Sequence, residues 1–88
     1  MKKFKKLRSV RKSYEEQAYI FYACATYEKQ NAATRRKIEN LCTRAAGEYA
    51  PALLEFLTSS ADFRHICETH HISDSTLERV RKKFYELW

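Results

Sequence analysis

The sequence predicts an all-α protein, a small bundle of about five helices behind a basic N-terminal arm. Three observations carry that reading. The 88 residues include one glycine and one proline, too few turn residues for a strand-rich sandwich or barrel. Apolar residues make up 44% of the chain, with 14% aromatic, and they recur at helical spacing, enough for a globular core. The length allows one domain, and a chain of this size buries only about 60–65% of its unfolded surface. Every helix therefore has to contribute to a single core.

The first element is the arm. Lys2, Lys3, Lys5, Lys6, Arg8, Arg11 and Lys12 place seven cations and no acid in residues 1–12, whereas the rest of the chain holds ten basic and eleven acidic residues. The formal net charge of +6 thus belongs to a flexible arm, residues 1–12, and not to the helical domain, residues 13–88. Such an arm seeks a polyanion, most commonly nucleic acid, and its seven cations are candidate phosphate contacts. Phe4, Leu7 and Val10 form an apolar stripe too sparse for firm membrane anchoring.

The helices follow in order. Ser13-Tyr-Glu-Glu16 is a capping box, with a hydroxyl at the N-cap and a carboxylate three residues on, and opens a helix over about residues 14–28. Tyr14, Ala18, Phe21 and Ala25 are expected inward, flanked by Tyr22 and Cys24. Tyr19, Ile20 and Tyr27 then lie outward, which makes them candidates for a self-association surface, because this helix is apolar over too much of its circumference for a plain surface helix. After a break at Lys29-Gln-Asn31, a second helix covers about 32–46 with Thr34, Ile38, Leu41, Cys42 and Ala45 inward. Gly47 ends it in the left-handed region. Pro51 suits the first turn of a third helix, which runs to about Thr58 through Leu53, Leu54, Phe56 and Leu57. Ser59 or Ser60 caps a fourth helix over 61–70. A fifth runs from Asp74 to the end and packs Leu77, Val80, Phe84, Leu87 and Trp88.

Several classes of chemistry find little support. Cys24, Cys42 and Cys67 are odd in number and far apart, as expected of reduced, packed thiols. His65, Cys67 and His70 lie on different parts of a helix surface and do not converge on a metal. Neither a glycine-rich phosphate cradle nor a recognisable nucleophile constellation is present, so no cofactor and no enzymatic activity are expected. No apolar run reaches the roughly 18 residues that span a bilayer, and no signal-peptide core follows the basic start. The expected location is the cytoplasm.

One segment speaks to function. In Phe63-Arg-His-Ile-Cys-Glu-Thr-His-His-Ile-Ser-Asp-Ser-Thr-Leu-Glu-Arg-Val80, Ile66 and Cys67 allow a close helix crossing and Ile72 plugs the turn. Ser73 caps the next helix, and Leu77 with Val80 packs that helix back. Residues 63–83, within a two-helix unit of about 61–88, resemble the helix-turn-helix of bacterial and phage regulators. They depart from it at His70, where a larger aliphatic is usual, and at His71, where glycine is usual. The resemblance implies a second helix in the major groove of duplex DNA, in a transcriptional regulator or mobile-element accessory factor. Projection of that helix turns Ser75, Glu78, Arg79 and Lys82 toward base edges: Arg79 as a fork on guanine, Glu78 as an acceptor from cytosine N4. Thr76 and Lys83 would join the arm on phosphates. Two copies reading two half-sites would make a homodimer. The competing expectation is a small phage or mobile-element protein that occupies a host protein, in the manner of anti-CRISPR or polymerase-binding inhibitors. Asp74 and Glu78 repel phosphate and favour that alternative, as do the tyrosines of the first helix.

Overall fold

The computed structural model describes residues 3–88, and the chain is all-helical, with no strand among the described residues. Helix α1 spans Tyr14–Ala25, α2 Ala32–Ala46, α3 Ala50–Thr58, α4 Phe63–His70 and α5 Asp74–Leu87, with single 3₁₀ turns at Tyr27–Lys29 and Gly47–Tyr49. Helix α2 packs on both α3 and α5, and α1 and α4 close the bundle against α3. No helix is long and apolar enough to cross a membrane among the described residues.

Local signals set most of the boundaries. The Ser13 capping box forms: Ser13 Oγ accepts from Glu16 N–H at 3.1 Å, and Glu16 Oε1 accepts from Ser13 N–H at 3.0 Å. Those bonds hold the Glu16 carboxyl below the usual range. Helix α1 stops three residues before the expected end because Thr26 tightens the chain. Its N–H and hydroxyl both donate to the Tyr22 carbonyl, at 3.0 and 2.7 Å. Asn31 caps α2 by accepting from Thr34 N–H at 2.8 Å. Gly47 follows α2 with φ 55°, but its ψ of −119° is outside the left-handed helical well and open essentially to glycine alone. Pro51 lies in the first turn of α3. Helix α4 begins later than expected, because neither serine caps it. Asp62 does, accepting from His65 N–H at 2.8 Å, and Ser59 Oγ instead accepts from Ala61 N–H within the loop.

The largest departure concerns α1. Its inward residues are Gln17, Ile20, Ala23 and Cys24, whereas Tyr14 is 57% exposed. The expected face is rotated because the buried stripe runs through a glutamine, which hydropathy patterning reads as outward. Gln17 is fully buried yet satisfied: its Oε1 accepts from Leu7 N–H at 2.7 Å, and its Nε2 donates to the Leu7 and Lys12 carbonyls at 3.3 and 3.0 Å. A buried polar group with its partners met costs little, so the site is consistent with a stable core.

Those bonds also bear on the arm. Residues 3–12 do not extend freely from the domain. Val10 is 5% exposed and part of the core, Leu7 packs against it, and the Phe4 ring meets those of Tyr14 and Phe21 at 5.1 and 5.5 Å. The sparse stripe of Phe4, Leu7 and Val10 is spent on the molecule itself, with Val10 buried and Phe4 and Leu7 half-buried. The cations between stay outward, with Lys3, Lys5, Lys6, Arg8 and Arg11 exposed and Lys12 half-buried. Lys2 lies outside the described residues.

Cys24, Cys42 and Cys67 are buried and unbridged. Burial pushes the Cys42 thiol up to about 12, which keeps it protonated and inert near neutral pH. Tyr85, expected on neither face, is 3% exposed, and burial raises its hydroxyl well above the usual tyrosine range.

Candidate nucleic-acid interface

The segment from α4 to α5 is built by its turn. His71 adopts φ 54° and ψ 46°, the left-handed helical well, at the position where the sequence pattern wants glycine. Beyond it Ile72 donates its N–H to the Cys67 carbonyl at 3.1 Å and buries its side chain to 5% exposure. A left-handed residue followed by such a bond reverses the chain and satisfies a carbonyl at the helix end. Ser73 then starts α5, its Oγ accepting from Thr76 N–H at 3.2 Å and donating to Thr76 Oγ1 at 2.7 Å. Ile66, Leu77 and Val80 are all buried beneath the turn. Burial, and then the Asp74 carboxylate at the start of α5, raises the Cys67 thiol pKa.

The left-handed conformation costs a β-carbon-bearing residue about 1–2 kcal/mol. His71→Gly is therefore expected to stabilise the fold by about 1 kcal/mol after the larger entropy loss of glycine, a rise of roughly 4–8 °C in melting temperature. Thermal denaturation followed by circular dichroism checks this. A lower midpoint would show that the imidazole contributes contacts of its own.

On the outer face of α5, Ser75, Glu78, Arg79 and Lys82 line one shallow open groove together with Lys83 and Glu86. The four residues expected at base edges are thus brought together, with Ser75, Arg79 and Lys83 exposed and Glu78 and Lys82 half-buried. Thr76 is half-buried and its hydroxyl is engaged by Ser73.

Glu78 is not a free acceptor. Both its carboxylate oxygens lie 2.6 Å from Nη2 of Arg81, one turn further along α5. The Arg81 guanidinium in turn sits over the rings of Phe56 and Phe63, at 5.5 and 5.6 Å. Arg81 thus bridges α5 to α3 and α4, and its pairing with Glu78 lowers the negative charge beside Arg79. The opposite charges at i and i+3 were visible in the sequence; the two rings that hold the guanidinium come from elsewhere in the chain.

The arm's first cations do not border this groove. Lys3, Lys5 and Lys6 gather around Arg81 and Tyr85, and Arg81 projects about 200° around α5 from Arg79 at 3.6 residues per turn. The two sets of cations address different sides of α5.

The expected self-association surface is only partly present. Tyr19 is 65% exposed, edge-on to Trp88 at 6.1 Å, with the Lys37 ammonium 4.2 Å from the Trp88 ring. Ile20 is 1% exposed and belongs to the core. Tyr27 packs against the core, half-buried, and donates its hydroxyl to Glu39 of α2, a bond that raises its pKa. Tyr14 and Tyr22, expected toward the core, join Tyr19 on the surface. No group of three His, Cys, Asp or Glu side chains suited to a metal occurs among the described residues. No family model, curated protein or solved structure matches the chain.

Proposed function

We propose that this protein binds duplex DNA by presenting the outer face of α5 to the major groove, as a regulator or mobile-element accessory factor. The observation that carries the reading is the α4–turn–α5 geometry: a left-handed His71, a pinned Ile72 and a capped Ser73, which leave Arg79 and Lys82 together on one open face. A helix held in this way, with short polar side chains in its first turn and cations behind them, suits base reading between two phosphate rows. Arg79 forks onto guanine, and Ser75 and Lys82 flank it. Glu78 serves here as the anchor of Arg81 rather than as a base contact. Lys83 and the arm cations Lys3, Lys5, Lys6, Arg8, Arg11 and Lys12 contact phosphate, with Lys2 ahead of them.

Arg79→Ala is expected to weaken binding to a preferred duplex by about 1–3 kcal/mol and to relax selection at one base position. The arm's charges are best tested by Lys or Arg to Gln changes at positions 3, 5, 6, 8 and 11. Deleting the arm would also strip Val10 from the core. Neutralisation should weaken binding to all duplexes alike and flatten the salt dependence by about 0.9 log units per lost phosphate contact. Fluorescence anisotropy on selected and random duplexes at two salt concentrations checks both. Unchanged affinity in Arg79→Ala and Lys82→Ala would reject base reading by α5.

A second reading, occupation of a host protein, is favoured by Tyr14, Tyr19 and Tyr22, all exposed on α1. Tyrosine is enriched in the cores of protein interfaces. The same surface is the place for a homodimer contact, now centred on Tyr19 rather than on Ile20 or Tyr27.

A further inference from the structure

A cavity of about 280 Å³ lies between the N-terminal segment and helices α1, α3 and α5, on the side of α5 away from the groove described above. Its lining is divided by chemistry. Leu7, Phe21, Phe56 and Leu57 supply apolar surface, while Lys3, Lys5, Lys6 and Arg81 supply four cations and no acid accompanies them. The three lysines are exposed and have no ion-pair partner among the described residues. Arg81 spends Nη2 on Glu78, but its Nε is buried with no hydrogen-bond acceptor among the described residues.

We infer that this cavity is a binding site for a small anionic amphiphile, a single carboxylate on an apolar body of medium-chain fatty-acid size. The volume sits near the lower end of the range for small-molecule sites, which limits the ligand to a short tail. The apolar walls take the tail. The carboxylate pairs with the lysines, in partly dry surroundings where charge-assisted bonds are strong. A neutral ligand of the same shape leaves the cations unmatched, and a cationic one is repelled. The cavity shares no residue with the Arg79 groove, but Lys3, Lys5 and Lys6 are also among the proposed phosphate contacts, so the site is tested in the absence of DNA.

The test is isothermal titration calorimetry of the full chain, without DNA, against octanoate, 1-octanol and octyltrimethylammonium. One saturable site for octanoate is expected, with 1-octanol weaker by roughly 10-fold or more, the worth of one charge-assisted hydrogen bond, and no heat from the cation. Octanoate should also shift the methyl resonances of Leu7 and Leu57. The exposed triple change Lys3→Gln, Lys5→Gln and Lys6→Gln should weaken octanoate, whereas the charge-matched Lys29→Gln, Arg36→Gln and Arg44→Gln should not. Circular dichroism verifies that both variants fold. Absence of octanoate binding, equal affinity for 1-octanol, or equal weakening in the charge-matched variant would each overturn the site.

Discussion

Replacing Ile20 by glutamate is expected to unfold a large fraction of the protein. Ile20 is 1% exposed and sits in the main core cluster with Cys24, Ile38 and Leu53. A carboxylate there loses its hydration among apolar side chains, beside Glu15 and Glu16 as well as Lys12, a change on the scale of the roughly 3–5 kcal/mol seen when one charge of a buried pair is left alone. Domains as a class are stable by only about 5–15 kcal/mol, and one of 88 residues belongs toward the lower end of that range. The neighbouring change Tyr19→Glu provides the contrast. Tyr19 is 65% exposed, and surface changes of this kind usually stay within about 0.5 kcal/mol. Urea denaturation of the two variants distinguishes buried core from association surface. If Ile20→Glu left the midpoint unchanged and only altered sedimentation, the burial of this face of α1 would be wrong.

Gln17→Ala should have the second largest effect, and a more localised one. It removes both the acceptor for Leu7 N–H and the donor to the Leu7 and Lys12 carbonyls. Each backbone group left buried without a partner costs about 1–3 kcal/mol. The N-terminal segment limits the loss by peeling away into water, which exposes Leu7 and Val10 instead. The expected result is a lower melting temperature together with rapid tryptic cleavage at Lys5, Lys6, Arg8 and Arg11, sites that resist in the parent protein. Gln17→Glu keeps the acceptor but sets a carboxylate against two carbonyls. Burial and those carbonyls raise its folded-state pKa above the unfolded one, so its stability should be greatest in acid and decline as pH rises through the raised value. Trypsin resistance equal to the parent in Gln17→Ala would mean that the arm is held by its apolar contacts alone.

The elements legible from the sequence are those decided within a few residues. Ser13 and Glu16 satisfy each other, Ser73 caps the amides next to it, Pro51 needs only a helix start, and positive φ at Gly47 and His71 answers to their own backbones. The outer face of α5 was likewise readable, because Leu77, Val80 and Phe84 define its inner face by spacing alone. The capping of α4 by Asp62 was within reach, since aspartate is as good an N-cap as serine and the bond spans three residues.

What the sequence could not decide rests on partners distant along the chain. Whether Gln17 belongs inside depends on carbonyls at positions 7 and 12 being brought to it. Whether Glu78 reads a base or holds Arg81 depends on Phe56 and Phe63 being stacked where the guanidinium lands. Helical periodicity measures how apolar a face is, and a stripe rich in tyrosine passes for a core stripe on that measure. Local hydrogen bonds and backbone preferences are thus written in adjacent residues. The fate of a polar side chain is not, because its burial is favourable only when the fold delivers its partners, and that is settled by packing.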